Sequence, residues 1–177
     1  MFPKTLTDSK YKAFVDGEIK EISLQDYIGK YVVLAFYPLD FTFVCPTEIN
    51  RFSDLKGAFL RRNAVVLLIS CDSVYTHKAW ASIPREQNGV LGTAWPMVWD
   101  AKRELCNQFG LYDEENGHPM RSTVILAKDL SVRHISSNYH AIGRSVDEII
   151  RLIDAITFND ENGDICPAEW RSENKDN

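Results

Sequence analysis

Apolar positions follow two rhythms along this chain. Tyr31–Phe36 and Ala64–Ser70 are near-continuous apolar runs of strand length, the pattern of strands covered on both faces. Between them Ile49, Phe52, Leu55 and Phe59 recur at spacings of three and four. That spacing predicts one helix with a single buried face, with Pro46 tolerated in its first turn and Asn63 ending it. Strand, helix and strand in this order predict a βαβ unit with parallel strands and a right-handed crossover.

Upstream, residues 12–15 and 18–22 flank Asp16-Gly17, a hairpin turn signal, and Ser23 is placed to cap a short helix ending near Gly29. Downstream, residues 75–83 read as a helix stopped by Pro84, and residues 88–94 as a loop. Residues 95–99 read as a short strand, which Pro96 assigns to a sheet edge. Asp100 is placed to cap a helix carrying Ala101, Leu105 and Phe109, and residues 123–127 and 132–136 read as two further strands. The last helix opens with the capping-box pattern Ser145-x-x-Glu148 and buries Val146, Ile149, Ile150, Ile153 and Ile156. From Asn159 the chain is polar apart from Ile165 and Trp170. The expectation is one α/β domain with a central mixed sheet over residues 1–158 and a tail over 159–177.

A chain of 177 residues with 45% hydrophobic content can bury a substantial core. Its net charge of −5 argues against a general nucleic-acid binder. Its longest apolar runs are far too short to span a membrane, and Met1–Thr5 begins no apolar signal region, so a cytoplasmic location is expected. Cys45, Cys71, Cys106 and Cys166 show no CxxC or zinc-knuckle spacing, and His77, His118, His134 and His140 show no metal-ligand spacing. No metal is therefore expected, and these histidines are given no role.

Cys45 stands apart. It follows an apolar run and opens a helical pattern, so its thiol faces unpaired backbone N–H groups and the positive end of the helix dipole. Both favour the nucleophilic thiolate. Thr42, three residues earlier, can both donate and accept a hydrogen bond and so could bridge the sulfur and a peroxide oxygen. Pro38 has no N–H and can wall off water. Arg121, just before a strand, could supply a fixed cation. Taken alone, Thr42 is an ordinary turn residue and Arg121 an ordinary surface charge. Cys71 and Cys106 read as inert core thiols. Cys166, in the polar tail, is a candidate second thiol: a sulfenic acid on Cys45 would condense with it to a disulfide. The residues leave open whether it acts within one chain or between two.

Asp40-Phe41-Thr42-Phe43-Val44-Cys45-Pro46-Thr47-Glu48, Gly143-Arg144-Ser145-Val146-Asp147-Glu148 and Cys166-Pro167-Ala168 stand in the order and at the distances found in the typical 2-Cys peroxiredoxins. The chain resembles that family over residues 15–170. The resemblance implies a thioredoxin-like fold and reduction of hydrogen peroxide and organic hydroperoxides. It also implies that Cys45 is the peroxidatic cysteine, with Pro38, Thr42 and Arg121 around it and Glu48 and Arg144 supporting the ionic network. Cys166 would be the resolving cysteine, acting from the partner chain of a head-to-tail homodimer, and such dimers often form rings of five (decamers). A thioredoxin-type donor would reduce the disulfide, and no metal or organic cofactor is implied.

Peroxide-sensitive relatives carry a Gly-Gly-Leu-Gly loop and a C-terminal helix with a Tyr-Phe pair. Here the loop reads Gly89-Val90-Leu91-Gly92, and the eleven residues after Cys166 contain no such pair. A robust enzyme is therefore expected. Three other readings compete, the weakest a zinc-binding module, whose ligand spacing is wrong throughout. A thiol–disulfide oxidoreductase is weakened by the absence of CxxC, and a ring that binds unfolded chains would need no peroxidase activity.

Overall fold

The computed structural model describes residues 6–173, so the expectations that concern residues 1–5 and 174–177 lie outside it. Strands β1 (Lys10–Val15) and β2 (Glu18–Ser23) form the expected hairpin. Asp16 and Gly17 both take positive φ, as its two-residue turn requires. Ser23 caps a short 3-10 turn, Leu24–Tyr27, through a complete capping box with Asp26. Strand β3 (Tyr31–Phe36) is followed by helices α1 (Val44–Asp54) and α2 (Lys56–Arg61), and then by strand β4 (Ala64–Ser70). The single helix expected here is broken at Leu55. Beyond the break Phe59 still reaches Phe52 and Trp95, with ring centroids 5.9 Å from each.

Next come α3 (Val74–Trp80), β5 (Met97–Trp99), α4 (Glu104–Gln108) and a small hairpin of β6 (Tyr112–Asp113) and β7 (His118–Pro119). The chain closes with β8 (Arg121–Leu126), β9 (Val132–Asn138) and α5 (Val146–Asn162). The main sheet has seven strands in the order β2-β1-β5-β4-β3-β8-β9. β3, β4 and β5 are parallel, and the other pairings are antiparallel. Strands β3, β4 and β8 are buried along their whole length, which explains the near-continuous apolar sequences of β3 and β4, whereas β8 opens with the buried polar residues Arg121, Ser122 and Thr123.

Four expectations need correction. β5 lies inside the sheet between β1 and β4, not at an edge. Pro96 precedes it, and there the sheet uses its carbonyl, which accepts from Leu68 N at 2.9 Å, so the missing N–H costs nothing. Asp100 caps α4 from a distance, accepting from Leu105 N and Cys106 N, while Arg103 immediately before the helix takes φ +59°. Ser145 accepts from Glu148 N, but the Glu148 carboxylate turns to Arg151, so the box is half formed. The boundary expected between 158 and 159 falls inside α5, whose last turn is tied to the body. Asp160 accepts from Tyr31 Oη at 2.9 Å and pairs with Arg133. Beyond α5, Trp170 stacks on Phe158 and its carbonyl accepts from Arg151, so this part of the tail folds back along the helix.

One glycine is required by close approach. A Cβ on Gly89 would lie 1.9 Å from the Ile83 carbonyl oxygen, which is already bonded to Leu91 N. Gly89→Ala is therefore expected to cost about 1–3 kcal/mol, seen as a lower urea midpoint at unchanged slope.

Candidate active site

The buried ends of β3 and β8 and the start of α1 meet at one point. β3 runs into Tyr37 and Pro38, both buried, and the segment Leu39–Phe43 then turns into α1. Phe41 takes φ +57° there and lies over Trp80 at 5.9 Å. Phe43 supplies no side-chain cap to the first-turn N–H groups of α1. Cys45 is the second residue of that turn and is 1% exposed.

Arg121, the first residue of β8, is 3% exposed and donates in three directions. Its Nε donates to the His140 carbonyl at 2.9 Å and its Nη1 to Glu48 Oε2 at 2.7 Å. Its Nη2 donates to Cys45 Sγ at 3.5 Å. The first two bonds fix the guanidinium plane, and the third aims it at the sulfur. Such a bond is charge-assisted when the sulfur is a thiolate.

Glu48 is one turn along α1 from Cys45, on the same face. Two guanidiniums bracket its carboxylate. Arg144 approaches Glu48 Oε1 with its backbone N at 2.7 Å and its Nε at 3.1 Å, and Oε2 with Nη2 at 3.2 Å. The same arginine donates to the carbonyls of Ser122 and Phe36, so it ties β3, β8 and α1 together. Cys45, Arg121, Glu48 and Arg144 are thus assembled in one connected cluster, with Pro38 buried in the segment leading to it.

Thr42 is half-buried, and its hydroxyl donates to the Leu39 carbonyl at 2.9 Å. With its proton committed, the oxygen presents lone pairs and is set to accept rather than donate. Cys166 is half-buried beyond the end of α5, and all four cysteines are free thiols.

Sequence reasoning missed the polar network beneath this segment. Asp40 accepts from Tyr37 Oη at 2.7 Å and pairs with His77 Nδ1 at 2.6 Å. Its backbone N–H donates to Asp72 Oδ2 at 2.9 Å. Burial pushes the Asp40 carboxyl upward while His77 and Tyr37 pull it back, and burial pushes Tyr37 well up. The network pins the Cys45 segment to α3 and to the end of β4. Asp40 lies five residues before Cys45 and could have signalled it. Nothing in the spacing of His77 could.

A buried cysteine at a helix start, held by a fixed guanidinium, defines the class: a thiol-based redox protein. The chain belongs to the AhpC/TSA family, whose profile matches residues 4–135. It is 45% identical over 164 residues to a thioredoxin peroxidase of Echinococcus granulosus, covering 93% of this chain and 85% of that protein. It is also 45% identical over 166 residues to peroxiredoxin-4 of Dictyostelium discoideum, covering 94% of this chain but 64% of the longer relative. The reduced 2-Cys peroxiredoxin of Plasmodium vivax superposes with a TM-score of 0.92 at 38% identity, covering 98% of this chain and 90% of that one. The seven-stranded mixed sheet with flanking helices is the thioredoxin-like fold of these proteins.

Proposed function

We propose that this chain is a thiol peroxidase that reduces hydrogen peroxide and organic hydroperoxides through Cys45. The observation that carries the reading is the Arg121 guanidinium, locked by Glu48 and the His140 carbonyl with its remaining nitrogen on Cys45 Sγ. The Cys45 thiolate gives an electron pair to one peroxide oxygen, and the O–O bond breaks. The other oxygen departs with negative charge, takes up a proton and leaves as water or alcohol. Arg121 stabilises that charge without having to reorganise. The Thr42 oxygen accepts the peroxide O–H and aligns the O–O bond with the sulfur, and Pro38 keeps competing water out. Glu48 and Arg144 are positioning residues.

The resulting Cys45 sulfenic acid is buried, so the first turn of α1 must open before a second thiol can reach it. Cys166 of a second chain is the proposed resolving thiol, in a homodimer that can assemble further to a decamer. The intersubunit disulfide is then reduced by a thioredoxin-type donor. A cytoplasmic site of action, where thiols are kept reduced, suits this cycle.

The test is a non-reducing gel. Peroxide-treated protein is expected to run as a covalent dimer. Cys45→Ser and Cys166→Ser should each abolish that band, whereas Cys71→Ser and Cys106→Ser should leave it. A dimer band that survives Cys166→Ser would overturn the resolving assignment.

A further inference from the structure

Cys71 and Cys106, 35 positions apart, read from the sequence as two separate inert thiols. The fold brings them together. β4 ends at Ser70, α4 carries Cys106, and Asp100 lies between them. Cys71 Sγ, Cys106 Sγ and an Asp100 carboxylate oxygen all lie within 4.8 Å of one another. The two sulfurs therefore face each other across a gap that a small side-chain movement can close. We propose that Cys71 and Cys106 form a second redox pair, closed by hydroperoxide into a disulfide within one chain and independent of Cys45 and Cys166.

The two thiols are unequal in a way that assigns their roles. Cys71 is half-buried and open to a small oxidant, whereas Cys106 is fully buried. The neighbouring Cys106 draws the Cys71 thiol downward, and nearby Arg103 helps. The neighbouring Cys71, burial and the Asp100 carboxylate push Cys106 strongly upward. Cys71 is therefore the nucleophile and Cys106 the protonated thiol that resolves it.

The Cys71 thiolate attacks one hydroperoxide oxygen, the O–O bond breaks, and the other oxygen leaves as water or alcohol after taking a proton. The Cys106 sulfur then attacks the Cys71 sulfenic acid. The S–S bond forms, and the hydroxyl leaves with the Cys106 proton as a second water. Two thiols and one hydroperoxide become one disulfide, one water or alcohol and one water.

The same three groups could be read as a metal site. That reading is weaker because the Asp100 carboxylate already holds Leu105 N with one oxygen and Cys106 N with the other. A metal ion would compete with the cap of α4. Among the described residues no arginine donates to the Cys71 sulfur as Arg121 does to Cys45, so the pair responds when hydroperoxide outruns the Cys45 cycle. Cys71 also sits one residue from Asp72, the acceptor that anchors the Asp40 backbone beneath the Cys45 segment.

The test uses the full chain carrying Cys45→Ser and Cys166→Ser, so its failure would leave the peroxidase reading untouched. Treated with excess hydrogen peroxide and alkylated without reductant, it is expected to lose both alkylatable thiols. Its mass should fall by two hydrogens, the Cys71 and Cys106 peptides should be joined, and the chain should stay monomeric on a non-reducing gel. Dithiothreitol should restore both thiols. Adding Cys106→Ala should stop the reaction at a Cys71 sulfenic acid that dimedone traps. The proposal is overturned if both thiols stay alkylatable under hydrogen peroxide in large excess over that needed to oxidise Cys45 fully in the Cys166→Ser protein. It is equally overturned if Cys71 advances to sulfinic acid with Cys106 still free. Purified reduced protein holding one zinc per chain, lost on Cys106→Ala, would establish a metal site instead.

Discussion

The Arg121→Gln protein is expected to reduce hydrogen peroxide ~10²–10³-fold more slowly than the parent, the loss that follows removal of one preorganised donor from a developing anion. The effect should be large because Arg121 alone carries a formal positive charge onto Cys45 Sγ among the described hydrogen bonds. Glutamine keeps a neutral donor but removes both the charge and the rigid fork held by Glu48 and the His140 carbonyl. Stopped-flow oxidation of the reduced protein isolates this step from disulfide formation and from recycling. A loss of only a few-fold would shift the stabilisation to the backbone N–H groups at the start of α1.

The same variant should fold well, which makes the kinetic result interpretable. Glu48 keeps Arg144, which approaches it through a backbone and two side-chain nitrogens. A glutamine at 121 can still offer Glu48 a neutral hydrogen bond. The expected stability loss is therefore about 1–3 kcal/mol, the cost of weakening the Glu48 contact and taking this donor from the His140 carbonyl.

What was legible in the sequence, and what was not, divides by range. The βαβ unit could be read because β3 and β4 are buried throughout and α1 is buried on one side, so local periodicity and tertiary environment agree. Cys45 could be read because its chemistry follows from strand-to-helix placement. Glu48 could be given a place only through the family motif. Its actual position between two guanidiniums joins α1 to β8 and to the residues before α5, a contact that no short-range pattern encodes. The placement of β5 failed for a similar reason. Pro96 marks a missing donor, but only the strand order shows that no donor is needed there. His77 and the Cys71–Cys106 pair were invisible because their partners lie tens of residues away.

Glu48→Gln is expected to be the most destabilising change at the site, costing about 3–5 kcal/mol of unfolding free energy. The side chains of Arg121 and Arg144 are 3% and 6% exposed, and Glu48 is the carboxylate between them. Removing its charge leaves two buried guanidiniums without the carboxylate that pairs with both, which is worse than losing either hydrogen bond. Peroxide reduction should fall as well, because Arg121 loses the bond that orients it toward Cys45. The two effects can be separated. Adding Arg121→Gln to Glu48→Gln removes one of the stranded charges, so the double variant should recover stability relative to Glu48→Gln alone while remaining inactive. Urea midpoints for the two single variants and the double variant form a cycle whose coupling should exceed ~1 kcal/mol, as for residues in direct contact. If Glu48→Gln unfolds at nearly the parent midpoint, water reaches the two arginines, and the rigidity assigned to Arg121 must come from the His140 carbonyl alone.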